Sequence, residues 1–84
     1  MNFNGKTVWI TGASSGIGEA LAEEFFGLGA VVILSARNTN KLNQIKERLD
    51  NSESGKCYVV PCDVTESSSV EQAVKLVQKL VSGP

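Results

Sequence analysis

The chain has 84 residues and a formal net charge of −1, with 42% apolar and 20% charged residues, which suits one small globular domain. Its charge is close to neutral and its basic residues are scattered, so no general attraction to nucleic acid or to an anionic membrane is expected. No apolar stretch approaches the ~20 residues of a membrane-spanning helix, and "MNFNGKTVWI" lacks the apolar core and cleavage site of a secretory signal, so the expected location is cytoplasmic.

"TVWIT" (7–11) is a continuous β-favouring run of the kind that forms a strand buried on both faces. Regular structure breaks from Gly12 to Gly16. From Ile17 the pattern is helical, with Ile17, Ala20, Leu21, Phe25 and Leu28 at spacings of three and four, and Gly29 is a natural stop. "AVVILSA" (30–36) is a second strand, and "RNTN" (37–40) offers capping side chains for a helix whose apolar face is Leu42, Ile45 and Leu49. "NSESGK" (51–56) is a polar turn. "CYVVPCDV" (57–64) is a third strand in which Pro61, lacking an N–H, belongs at the end or at a sheet edge. Ser68 and Glu71 form a capping box for a third helix lined by Val70, Ala73, Val74, Val77 and Leu80.

Strands alternating with helices predict an α/β fold of order β-α-β-α-β-α, with a three-stranded parallel sheet and right-handed crossovers. A chain this short buries only about 60–65% of its unfolded surface, so coverage of the sheet is expected to be incomplete. Cys57 and Cys62 lie an odd number of positions apart, which sends them to opposite faces of one strand and makes a mutual disulfide geometrically poor. With no histidine and no Cys-x-x-Cys spacing, a zinc site has little support, and both cysteines read as reduced and structural.

"TGASSGIG" (11–18) places three glycines where the first strand hands over to the first helix. A phosphate-binding turn there needs a sharp change of direction, close backbone approach to the ligand, and a helix whose unpaired N–H groups face the anion. Gly12, Gly16 and Gly18 suit these roles in order, Gly18 by letting the helix pack closely. Ser14 and Ser15 can donate hydrogen bonds without repelling an anion. The glycines fall as G-x-x-x-G-x-G, unlike the common dinucleotide spacing G-x-G-x-x-G. The alternative is a plain structural turn.

The same motif resembles the cofactor loop of the short-chain dehydrogenase/reductase family, in its shorter, non-extended branch. "GKTVWITGASSGIGEALAEEFFGLGAVVILSARN" is similar to that family's amino terminus throughout, and "CDVT" (62–65) to its adenine-side motif. The resemblance implies a Rossmann-type, incomplete doubly wound fold, with residues 1–84 as the amino-terminal part of an NAD(P)-binding domain that stops before the catalytic segment. It also implies that Gly12, Gly16 and Gly18 form the dinucleotide loop, that the Ile17 N–H meets the pyrophosphate, and that Ser14 contacts the adenine-side ribose. The Asp63 carboxylate would accept from the adenine amino group and the Val64 backbone would meet the ring. Full-length relatives are expected to be homo-oligomeric.

Cofactor choice turns on the end of the second strand. A carboxylate ~20 residues beyond the glycines would favour NAD by binding the ribose 2′-OH. Ala36 stands there, followed by Arg37, whose guanidinium can make two charge-assisted bonds to a 2′-phosphate. NADP(H) is therefore the expected preference, with NAD(H) as the alternative. Because Ser15 occupies a position that is basic in some relatives, that preference is expected to be modest.

The family's chemistry uses a tyrosine, a lysine four residues later and a serine. The one tyrosine, Tyr58, is followed at that spacing by Cys62. The expectation is the cofactor-binding part of an NADP(H)-dependent oxidoreductase acting on a carbonyl/alcohol pair, without turnover of its own. The alternatives are a non-catalytic nucleotide-binding module and a non-functional remnant.

Overall fold

A computed structural model describes residues 3–51 and 55–82. In chain order the elements are β1 (Thr7–Thr11), α1 (Gly16–Gly27), β2 (Val31–Ser35), α2 (Thr39–Asp50), β3 (Lys56–Val59) and α3 (Ser67–Ser82). The strands form one parallel sheet in the order β1-β2-β3, as the alternation of elements predicts. Residues 52–54 of the polar turn lie outside the described residues.

β2 is the centre of the sheet, which explains its unbroken apolar run. Val32, Ile33 and Leu34 are all fully buried, with alternate side chains entering two different cores. One core holds Ile10, Val32, Leu34 and Cys57 against Ala22 and Phe26 of α1 and Leu42, Ile45 and Leu49 of α2. The other holds Ile33, Val60 and Cys62 against Ala73 of α3. Both crossover helices thus cover one face of the sheet, while, among the described residues, α3 is the helix that packs on the other.

That asymmetry corrects the expectation for β1. Thr7 and Thr11 are exposed and Val8 and Trp9 only half-buried, so β1 is not buried on both faces. It is an outer strand, with Trp9 only half-buried beside the α3-side core. Trp9 fits this mixed position by packing its ring against the α3-side core while its Nε1–H donates to the buried Ser35 Oγ at 2.8 Å.

The helix ends follow local chemistry. α1 closes through Leu28, and Gly29 follows at φ +92°, as expected of a helix stop. Asn38 caps α2 by accepting from the Lys41 N–H at 3.3 Å. Two boundaries differ from expectation. Regular β3 pairing ends at Val59 rather than continuing to residue 64, because Pro61 cannot donate to the ladder. The segment still runs beside β2, with the Val60 N–H donating to the Leu34 carbonyl and the Cys62 N–H to the Ala36 carbonyl. α3 begins at Ser67, so Ser68 lies inside its first turn and is not its cap. The two cysteines lie free in the two different cores, and burial pushes the Cys57 thiol up to about 11.

Candidate functional site

Parallel strands bring their carboxyl ends to one edge. There the segments after β1, β2 and β3 surround a cavity of about 310 Å³. Gly12 and Ser14 come from the first segment, Ala36, Arg37 and Asn38 from the second, and Cys62, Asp63, Val64 and Thr65 from the third. A crevice at this edge is where open α/β sheets bind ligands.

The glycine turn is shaped by backbone needs that side chains could not meet. Gly12 has φ +66°, a left-handed conformation that turns the chain out of β1. Gly18 touches the turn so closely that an added Cβ would lie 2.7 Å from the Gly12 carbonyl oxygen and 2.8 Å from Ala13 Cα. An added Cβ at Gly16 would meet nothing within 4 Å, so open space faces the start of α1. The Ala13 N–H donates to the Ser35 carbonyl at 3.2 Å and ties the turn to β2.

Ser15 is the α1 cap. Its hydroxyl donates to the Gly12 carbonyl at 3.0 Å and accepts from the Gly18 N–H at 3.1 Å, while its carbonyl accepts from the Glu19 N–H at 2.9 Å. Among the described residues, this leaves the Gly16 and Ile17 N–H groups as donors at the exposed start of the helix with no carbonyl partner in the turn. The Ile17 side chain is 79% exposed, so only its backbone serves the turn.

On the opposite wall, the Asp63 Oδ1 accepts from the Thr65 N–H at 3.0 Å and from the Thr65 hydroxyl at 2.6 Å. These bonds, with the Arg37 charge as a smaller contribution, hold the Asp63 carboxyl below the usual carboxylate range. Arg37 is exposed and also lines a second cavity, beside Pro61 and Ser69.

Of the residues picked out by sequence, Gly12, Ser14, Arg37, Asp63 and Val64 share the cavity wall, while Ser15, Gly16, Ile17 and Gly18 build the helix start beside it. Asn38, Cys62 and Thr65 also line the cavity without having been picked out. The signal for Thr65 was present in "CDVT", since a hydroxyl two residues after an aspartate can bond back to it.

An ion-pair network joins the two helices that flank the site. Arg48 of α2 pairs with Glu19 of α1 at 2.6 Å and with Glu23, and Lys41 reaches Glu19 at 3.6 Å. Bonding to Arg48 holds the Glu19 carboxyl below its ordinary value. A lowered folded-state pKa adds stability above the ordinary value of 4.5, and that stability is lost as pH falls through the folded value. Urea midpoints measured from pH 7 to pH 3 should therefore show Arg48→Met less stable than the unmodified chain at neutral pH, with the two curves converging in acid. A constant gap at all pH values would contradict this assignment.

Among the described residues, no group of three or more His, Cys, Asp or Glu could hold a metal ion, and no helix is long and apolar enough to cross a membrane. Residues 6–83 match the family described as short chain dehydrogenase. Dehydrogenase/reductase SDR family member 7 of Mus musculus is 45% identical over 73 residues, which are 83% of this chain and 22% of that protein. A metagenomic short-chain oxidoreductase solved in complex with NADP superposes with a TM-score of 0.88 at 30% identity, covering 95% of this chain and 36% of that one. The L-sorbose reductase of Gluconobacter frateurii, complexed with NADPH and L-sorbose, gives 0.85 at 35% identity, covering 93% and 30%.

Proposed function

Because the chain belongs to the short chain dehydrogenase family, we propose that it is the amino-terminal, cofactor-binding part of an NADP(H)-dependent oxidoreductase acting on a carbonyl/alcohol pair. The observation that carries this reading is the convergence of the glycine turn, Arg37 and Asp63 on one cavity at the carboxyl edge of the sheet. The residues fit a dinucleotide. The close contact at Gly18 draws the start of α1 against the turn, the Gly16 and Ile17 N–H groups suit a diphosphate, and space lies open in front of them.

In this reading Gly12 turns the backbone, Ser15 fixes the shape of the turn through its cap, and Ser14 faces the adenine-side ribose. Arg37 takes the 2′-phosphate, Asp63 the adenine amino group and the Val64 backbone the ring. NADP and NADPH in the similar solved structures support the same preference. When bound, the nicotinamide supplies hydride transfer, and this chain's residues supply binding and orientation.

Tyr58 supports the view that these residues bind without turning over. It sits in β3, half-buried against the α3-side core, and lines a different cavity that shares no residue with the nucleotide cavity. Purified chain incubated with NADPH and a panel of carbonyls is expected to bind the dinucleotide without oxidising it above the buffer rate. Turnover abolished by Tyr58→Phe would overturn the binding-only reading, and absence of any NADPH binding would overturn the cofactor assignment.

A further inference from the structure

Asp63 is held from both sides by residues outside the glycine turn and the Arg37 region. Its Oδ1 takes two donors from Thr65, the N–H and the hydroxyl. Its N–H donates to the Ser69 Oγ at 2.9 Å, which fastens the backbone to the first turn of α3. Among the described residues, the carboxylate is thus anchored through Oδ1, which leaves Oδ2 as the remaining acceptor of a residue that lines the cavity.

We propose that Thr65 and Ser69 are positioning residues that aim the free oxygen of Asp63 into the cavity and so select a purine bearing an exocyclic amino donor over one bearing a carbonyl. The inference rests on the dinucleotide reading above. An ionised carboxylate is acceptor-only. An amino group on the base satisfies it, whereas a carbonyl oxygen at the same place leaves two acceptors facing each other and the carboxylate unpaired. Without the Thr65 hydroxyl, Oδ1 loses its shortest bond and the carboxylate gains freedom to rotate away from the base. Without the Ser69 hydroxyl, the Asp63 N–H loses its partner and the loop loses its attachment to α3.

The test is calorimetric binding of NADPH and of its hypoxanthine analogue to the full chain and to Thr65→Val, Thr65→Ser and Ser69→Ala. The unmodified chain should bind NADPH about tenfold more tightly than the analogue, as expected for one hydrogen bond to a charged group. Thr65→Val and Ser69→Ala should each reduce that ratio to about twofold by weakening NADPH binding alone. Thr65→Ser, which keeps the hydroxyl, should restore the ratio. Equal weakening of both ligands, or an unchanged ratio in Thr65→Val, would overturn the positioning role while leaving the dinucleotide reading intact. Failure of the unmodified chain to bind either ligand would instead overturn the dinucleotide reading, and the inference with it.

Discussion

Replacing Gly18 with alanine should destabilise the fold, whereas the same change at Gly16 should disturb only ligand binding. At Gly18 the new methyl would meet backbone, the Gly12 carbonyl oxygen at 2.7 Å and Ala13 Cα at 2.8 Å, and neither can turn aside as a flexible side chain would. Ala13 is fully buried and its N–H is bonded to β2, so the displaced strain passes into the sheet. Overpacking of this kind costs about 1–3 kcal/mol, a large share of the roughly 5–10 kcal/mol that holds a small domain together. At Gly16 the methyl enters open space on a helix, where alanine is preferred by up to about 1 kcal/mol. Urea denaturation should therefore show a lower midpoint for Gly18→Ala and an equal or higher one for Gly16→Ala. NADPH affinity should fall in Gly16→Ala, because the methyl occupies the approach to the Gly16 and Ile17 N–H groups. Equal stability of Gly18→Ala and the unmodified chain would disprove the close contact.

The second large effect is expected at Arg37. Removing its side chain in Arg37→Ala should weaken NADPH binding roughly 10- to 100-fold, the equivalent of one strong charge-assisted interaction. NADH, which has no 2′-phosphate, should change by no more than about threefold. The physical basis is local. β2 ends at Ser35, Ala36 offers no acid to repel a phosphate, and Arg37 stands exposed on the cavity wall. Isothermal calorimetry with both dinucleotides would measure the ratio directly. Equal affinity for NADPH and NADH in the unmodified chain would remove the case for a phosphate-binding arginine.

Much of this architecture can be read from residue patterns, and the exceptions have identifiable causes. β2 was legible because full burial on both faces demands an unbroken apolar run, and Val32–Leu34 supplies one. Asn38 and Gly29 were legible because capping and left-handed backbone select particular residue types. β1 has a similar apolar run but sits at the flank of the sheet, a position set by tertiary arrangement. Ser68 offered an attractive local cap, yet α3 starts earlier, and the neighbouring hydroxyl of Ser69 is drawn to Asp63 instead. In the site, Gly12 and Arg37 were picked out by spacing along the chain, and Asp63 by the resemblance of "CDVT" to the family's adenine-side motif. The double use of the Ser15 hydroxyl within the turn, and the pairing of Glu19 with Arg48, depend on distances that only the folded backbone fixes.

The strand order has a consequence for how firmly the glycine turn is gripped. Among the described residues, β1 is bonded to a neighbour strand along one side only, and the turn that begins at Gly12 hangs directly from its end. An outer rail of a ladder frays before the middle one, so amide deuterium should enter residues 7–11 sooner than residues 31–35. Any molecule that clasps the turn would slow that exchange, and any neighbour that docks along the bare side of the rail would steady the turn in return.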